Sequence, residues 1–320
     1  MPAKDISIII ASRNREQILW QTVSKAADAT IGFNIEIIVV NDGDTDITLP
    51  AGLPGNILYF KNPKRGVSSA RNFGASKASA PILFFVDDDM WITKQSIQWI
   101  FEYLANNENL NAVYNLNWEY PSELNNKLNH SKVGNYILKS NYNSMWGRMH
   151  QQGEQPNSGL YPYNTIASCS LVISKQIFRN LGGYNEDLIF QGEDIDLSNR
   201  INNLSIPIYA VFDVLLFHNH QDRLTIKSLL KREYSGYASE MHASKTGIIS
   251  THNTNEYAGV KRIAFEFLRH TENAWIFILN ILPRVTPFSF LNNRIIGALS
   301  SLQRYKQWRK IILEEAILNK

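Results

Sequence analysis

The chain holds a single cysteine, Cys169, among 320 residues, which excludes an intrachain disulfide and suits a reducing compartment. Its setting, Ala167-Ser168-Cys169-Ser170-Leu171-Val172-Ile173, reads as a buried strand and not as the surroundings of a nucleophile. Long hydrophobic runs are also missing. The longest, Ala274 to Leu282, is about half of the ~20 residues a spanning helix needs, so no transmembrane helix is expected. The opening residues, Met1-Pro2-Ala3-Lys4-Asp5, show no basic segment leading into an apolar secretory stretch, and a cytoplasmic protein is expected. Charge of one sign is scarce. The 32 Lys and Arg against 29 Asp and Glu leave a net charge of +3, too weak a field to make nucleic acid the expected partner. The loop Ala11-Ser12-Arg13-Asn14-Arg15 contains no glycine. That excludes a Gly-X-Gly-X-X-Gly dinucleotide fingerprint and disfavours the Gly-rich loop of a sugar-phosphate nucleotidyltransferase.

What is present is an ordinary globular composition, 44% apolar and 19% charged, enough to build a substantial core. The first hundred residues alternate strand-like and helical runs, the pattern of an α/β fold with a mostly parallel central sheet flanked by helices. Strands are expected at Ile6 to Ile10, Ile35 to Val40, Ile57 to Phe60 and Ile82 to Val86, with helices at about Glu16 to Ala29 and Val67 to Ala78. From Asn106 to Tyr163 the sequence is rich in Asn, Tyr and Trp, and reads as a long irregular region, either a pocket-shaping segment or simply a polar loop. A strand near Ile166 to Ile173, a helix from Lys175 stopped by Gly182-Gly183, and a strand pair around Ile208 to Phe217 follow. Beyond Arg223 the pattern is helical, with candidates at Lys227 to Met241, Tyr257 to Leu268 and Asn293 to Leu318. Three segments result: 1–105, 106–222 and a helical C-terminal region, 223–320.

Ligands of such sheets bind beyond the carboxyl ends of the strands, and three strand ends are polar here: Ala11 to Arg15, Asn41-Asp42-Gly43-Asp44, and Asp87-Asp88-Asp89. Three consecutive aspartates repel one another. A hard divalent cation resolves that conflict and keeps open positions for substrate phosphates, a reading preferred to a solvated, helix-capping turn. Asp42 lies in a tight turn where its carboxylate could accept hydrogen bonds from a nucleotide base. Arg71 lies in the first turns of a helix whose start favours phosphate. Glu193 and Asp194 follow Gly192 at another helix start, where they serve either the macrodipole or as a general base. His218 and His220 follow a strand, and one of the two is expected to complete a metal site while the other faces elsewhere.

In order and spacing these segments resemble the inverting family-2 glycosyltransferases with the Rossmann-like GT-A fold. The residues that carry the likeness are Ser7-Ile8-Ile9-Ile10 with Asn14-Arg15, Asn41-Asp42-Gly43-Asp44-Thr45-Asp46, Gly66-Val67-Ser68-Ser69-Ala70-Arg71-Asn72-Phe73-Gly74, Phe84-Phe85-Val86-Asp87-Asp88-Asp89, Gly182-Gly183-Tyr184-Asn185-Glu186-Asp187, and Gly192-Glu193-Asp194-Ile195-Asp196-Leu197 with Arg200. They span roughly residues 5 to 220.

The resemblance implies a nucleotide-sugar donor, UDP or dTDP type by default, held by Ser12, Asn14, Arg15, Asp42, Arg71, Asp87 and Asp88. It implies Mn²⁺ or Mg²⁺ on Asp87 and Asp89, Asp89 being the direct ligand, with His218 or else His220 beside it. Asp194 becomes the catalytic base and Glu193 orients the acceptor, a glycan, lipid-linked or small-molecule hydroxyl. Segment 1–105 is then the donor half and 106–222 the acceptor half of a catalytic domain, working in bacterial surface glycan synthesis. Two positions depart from the family pattern: Asn41, where many relatives are acidic, and Ala11 with Arg13, where a Pro and an aromatic are common. A non-catalytic binding protein on the same fold is the alternative, disfavoured by the retained Asp194. The aromatic and basic C-terminal helices suit packing, a homodimer or peripheral contact with the inner face of a membrane.

Overall fold

In the computed structural model, residues 5–48, 50–52, 54–140, 142–149, 154–188, 192–245, 257, 259–282 and 288–318 are described. They fall into two compact units, 1–121 with 144–219, and 122–143 with 220–320. The first carries one mixed sheet of nine strands.

The leading half is parallel. Strands β1 (Ile6–Ser12), β2 (Ile35–Asn41), β3 (Ile57–Lys61) and β4 (Ile82–Asp87) run side by side. β1 and β2 are buried along almost their whole length, mostly by apolar side chains, as strands covered by helices on both sides are. Helix α1 (Glu16–Ala29) follows β1, α2 (Val67–Lys77) precedes β4, and α3 (Lys94–Tyr103) comes after it. Gly74 lets α2 approach β1 closely, because a Cβ there would lie 2.5 Å from Ile9 Cγ2. The other half changes direction. β8 (Ser170–Ser174) pairs antiparallel with both β4 and β6 (Val113–Glu119), and β5 (Met90–Trp91) and β7 (Leu160–Tyr163) pair antiparallel with β9 (Ile208–His218). The neighbours thus run in the order β3-β2-β1-β4-β8-β6-β9-β5, with β7 also on β9, and parallel pairing is concentrated where βαβ units repeat, the β6·β9 pair adding one further case.

Several expectations are corrected here. The region from Asn106 to Tyr163 is not irregular: it contains β6 in the middle of the sheet, helices α4 (Ser122–Asn129), α5 (Lys132–Lys139) and α6 (Met145–Arg148), and β7. Its residues 141 and 150–153 lie outside the described set. The strand was hidden because Asn115 and Asn117 interrupt its apolar run, yet both are buried. The Asn115 amide donates to Thr165 O at 3.2 Å and accepts from Ala167 N at 2.9 Å, which removes the cost of burying it. The expected strand pair near 208 is one eleven-residue strand, β9. The strand expected from Ile166 starts only at Ser170, so Ser168 and Cys169 lie in a turn. Helix α7 (Lys175–Asn180) ends as expected at Gly182 and Gly183, which adopt φ of 80° and 73°.

One core packs between the sheet and helices α2, α7 and α8 (Glu193–Asn203). Phe85 sits there with its ring 5.0 Å from Phe178 and 5.5 Å from Tyr184. The second unit is helical: α4 and α5 join α9 (Ile226–Lys245), α10 (Val260–Ile281) and α11 (Phe288–Leu318). Both α10 and α11 start or end beyond the spans read from sequence. Position 258 in the expected helix start is outside the described residues, as are the side chains of Glu314 and Glu315.

Candidate active site

Every polar strand end named above except the histidine pair belongs to the parallel half or to the α8 start. At the end of β1, Ser12 donates through Oγ to Asp88 Oδ2 at 2.6 Å. Asn14 adopts φ 55°, a left-handed conformation that asparagine tolerates. From there its amide meets Asp44 both ways, donating to Oδ2 at 3.1 Å and accepting from the backbone N–H at 3.2 Å. The intervening Gly43 is required, since a Cβ would lie 2.7 Å from Asn14 Oδ1 and 2.8 Å from Asn41 Oδ1. Asn41 has a structural reason to be an amide. It accepts from Gly43 N–H at 2.8 Å while donating to Thr45 O and to the Tyr59 hydroxyl, and a carboxylate could not donate. Asp42 Oδ1 accepts from Asn62 Nδ2 at 2.7 Å and from Gly66 N–H at 2.9 Å, tying two loops together. Its Oδ2 lies 3.7 Å from Arg13.

The triplet is fixed from both sides. Thr22 Oγ1 donates to Asp88 O at 2.7 Å. Beyond Asp89, the short strand β5 pairs Met90 with His218, and Asn219 N–H donates to Asp89 O at 2.7 Å. Asp89 is thereby held beside the end of β9. Its Oδ1 is 3.1 Å from His218 Nε2, and Arg15 Nη2 donates to its Oδ2 at 2.8 Å. Arg15 also pairs with Asp88. The rings of Trp118 and Tyr120 stand edge-on to His218 at 4.9 and 5.6 Å.

One group of ligand atoms from Asp89, His218 and His220 lies within 4.8 Å, all three residues buried. Both histidines thus bring a ring nitrogen near Asp89, His218 from the last position of β9 and His220 from beyond it, where the short turn 221–223 begins. Asp87 is not part of that group. Its carboxylate takes a 2.8 Å hydrogen bond from Arg71 Nη2. Two imidazoles and a carboxylate fit a first-row transition ion such as Mn²⁺ better than Mg²⁺, whose ligands are almost all oxygen.

Arg71 joins this cluster to the start of α8. Its Nη1 donates to Glu193 Oε1 at 2.9 Å, and its guanidinium lies 5.4 Å from the Tyr184 ring. Burial opposes its charge, but Asp87, Tyr184, Glu193 and Asp194 outweigh that and hold it protonated. The other oxygen of buried Glu193, Oε2, has no hydrogen-bond partner among the described residues. Such an oxygen is costly unless a donor reaches it. Asp194 next door has its carboxyl pushed up to about 7, first by desolvation and then by the charge of Glu193, with Arg71 and Ser168 opposing. Ser168 gives Asp194 a side-chain and a backbone hydrogen bond and meets the Tyr184 hydroxyl at 2.8 Å.

The α8 start has no side-chain cap, since Gly192 precedes it at φ 91°, so its first-turn carboxylates also face the helix dipole. Further along, Arg200 binds Asp196 and donates to Gly183 O at 2.7 Å, anchoring the Gly-Gly turn. Ser168 and Tyr184 were not picked out as site residues from sequence. The signal was there for Ser168: a polar Ser-Cys-Ser run inside an otherwise apolar stretch. Desolvation, with Asp87, Asp194 and Asp89 nearby, pushes the Cys169 thiol well up, so it is not an activated nucleophile.

The sequence profile described as glycosyl transferase family 2 matches residues 7–182, more than half of the chain. The chain belongs to glycosyl transferase family 2. Among curated relatives, an uncharacterized glycosyltransferase of Rickettsia typhi is 24% identical over 82% of this chain and 77% of its own length. The minor teichoic acid biosynthesis protein GgaB of Bacillus subtilis is 31% identical over 33% of this chain, but this chain spans only 12% of GgaB. In fold, a mannosyltransferase of Pyrobaculum calidifontis solved with GDP-Man and Mn²⁺ covers 95% of the chain at a TM-score of 0.53 and 11% identity, with 87% of that protein covered. GalNAc-T7, solved with UDP, GalNAc and Mn²⁺, covers 85% at 0.50 and 15% identity, with 55% of its chain covered. This member of family 2 therefore has the GT-A fold, and its α8 carboxylates, His218 at the end of β9 and His220 just after it lie beyond the matched profile.

Proposed function

We propose that the chain transfers a sugar from a nucleotide diphosphate sugar to a hydroxyl acceptor with inversion at the anomeric carbon. The observation that carries this reading is Arg71, which joins Asp87 of the aspartate triplet to Glu193 beside Asp194. Donor-side and base-side groups are held in one bonded unit. Asp194 accepts the proton of the acceptor hydroxyl, that oxygen bonds to the anomeric carbon, and the bond from that carbon to the diphosphate oxygen breaks. An ordinary aspartate would be too weak a base, whereas one raised to about 7 is matched to neutral pH.

Glu193 Oε2 accepts a second hydroxyl of the acceptor and orients it. The turn around Asp42 receives the base through the carboxylate oxygen not used by Gly66 and Asn62, with Ser12, Asn14 and Arg15 shaping the phosphate region. Asp89, His218 and His220 would hold the divalent ion, which supplies Lewis-acid stabilisation of the leaving diphosphate. Arg15 and Arg71 give two positive charges against four carboxylates, Asp87, Asp88, Asp89 and Glu193, before Asp194 is counted, an imbalance that favours a divalent cation. The family resemblance supports a UDP or dTDP donor, and similarity to GgaB supports a bacterial surface glycan as acceptor.

Thermal shift with UDP, dTDP, GDP and ADP, each with and without Mn²⁺, tests the donor site. A ligand at ~100 times its dissociation constant stabilises by ~2.7 kcal/mol, so at least one nucleotide is expected to raise the melting temperature only when Mn²⁺ is present. A flat response to all four sinks the donor-site assignment.

A further inference from the structure

Large apolar side chains are exposed very unevenly. Of the fourteen exposed among the described residues, nine lie on α10 and α11: Val260, Ile263, Phe267, Phe277, Ile281, Phe288, Phe290, Leu291 and Leu313. The other five are scattered over the first unit, as single exposed residues usually are. On α10 the exposed positions keep helical spacing: Val260 at 82%, Ile263 at 71%, Phe267 at 66%, Phe277 at 64% and Ile281 at 64% fall on one stripe about 33 Å long for its 22 residues. A stripe this long and apolar is a contact surface.

Charge says what it contacts. α10 and α11 together carry eight Lys and Arg against four Glu, an excess of four, while the whole chain has only +3. The remainder is therefore close to neutral, at −1. Two of the four acids are used within the unit: Glu266 binds Arg269, Arg309 and Tyr305, and Glu272 binds Lys306 and Gln303. Lys261, Arg262, Arg294 and Lys310 are exposed. Two of them lie over aromatic rings, Lys261 4.8 Å from Tyr257 and Arg294 4.8 Å from Phe290. No described helix is long and apolar enough to cross a membrane. A second copy of this chain on the same stripe would bring two basic helix pairs together, which like-charge repulsion disfavours.

We propose that α10, with the start of α11, lies in the plane of an anionic lipid surface, its apolar stripe in the acyl boundary and its basic residues at the headgroups. This proposal is independent of the transfer reaction. The test is co-sedimentation of the full chain with vesicles of phosphatidylcholine alone and of phosphatidylcholine with phosphatidylglycerol. Binding is expected only to the anionic vesicles and is expected to fall as salt rises. The double variant Phe267→Glu/Phe277→Glu should abolish sedimentation. Lys261→Glu/Arg262→Glu should weaken it by at least about tenfold. Both variants should keep wild-type circular dichroism, and Phe267→Ser/Phe277→Ser replaces the first pair if it misfolds. No sedimentation of the wild type, or sedimentation indifferent to the stripe variants, overturns the proposal. So does a concentration-dependent dimer in analytical ultracentrifugation that the same stripe variants dissolve, for then a second copy covers the stripe.

Discussion

In the first unit Arg71 is buried between Asp87 and Glu193, whereas in the second Glu266 gathers Arg269, Arg309 and the Tyr305 hydroxyl where water still reaches it. Both are multi-partner ionic clusters, and counting bonds would rank them alike. Depth separates them. A buried charge that loses its partner keeps its desolvation penalty, while an exposed one is rehydrated and screened. The two clusters also respond to acid in opposite senses. Asp194 is pushed up to about 7 by desolvation and its neighbour Glu193, while Glu266 is held down at about 2, first by the Tyr305 hydrogen bond.

The largest expected effect is on catalysis. Asp194→Asn should lower transfer by ~10²- to 10⁴-fold, the usual worth of a general base, while Mn²⁺-dependent nucleotide binding, read by thermal shift, stays close to wild type. Equal loss of both would contradict the separation of base from donor site. Next is Arg71→Met, which strands two carboxylates. A stability loss of about 3–5 kcal/mol is expected in urea unfolding, and Arg71→Lys should recover only part of it, because one ammonium cannot reproduce the forked bond to both partners. A loss under 1 kcal/mol would place the cluster in water after all.

The third prediction uses the sign of the Asp194 shift. The folded protein binds this proton more tightly than the unfolded chain, so stability is lost as pH rises from about 3.8 toward about 7. Asp194→Asn should therefore melt above wild type at pH 8 in EDTA, and the gap should close near pH 4. In kcat/KM the wild type should show an acidic limb near 7, and a limb near 4 would assign the proton transfer to another group. The smallest effect is expected from Glu266→Gln, at most about 1 kcal/mol. Because the folded carboxyl is depressed, that contribution is present above pH 4.5 and lost as pH falls toward about 2. A loss comparable to Arg71→Met would erase the contrast between the two regions.

Much of the parallel half was legible because its strands are continuous apolar runs ended by polar turns, and each turn is local: Asn41 to Asp44 and Asp87 to Asp89 present their groups within a few residues of chain. The mixed half was not. β6 carries two buried asparagines, the amide of Asn115 is satisfied by Thr165 and Ala167, about fifty residues away, and no local pattern reports such a partner. Ser168 stands in a visible polar Ser-Cys-Ser run, but it matters through Asp194 and Tyr184, and only the turn before β8 brings them together.

The sequence by itself determined which chemistry was available: carboxylates at strand ends, a glycine at 43 that admits no side chain, two histidines two residues apart, and a basic, aromatic C-terminal stretch. The tertiary structure alone decided how that chemistry is divided. Pairing of β5 with β9 puts His218 beside Asp89, and Arg71 bonds Asp87 with one nitrogen and Glu193 with the other. The environment of the α8 start then makes Asp194 a weaker acid than an aspartate in water. Those outcomes depend on contacts such as His218 with Asp89 and Arg71 with Glu193, more than a hundred positions apart, and on the solvent they exclude, and neither quantity is encoded in any local stretch of chain.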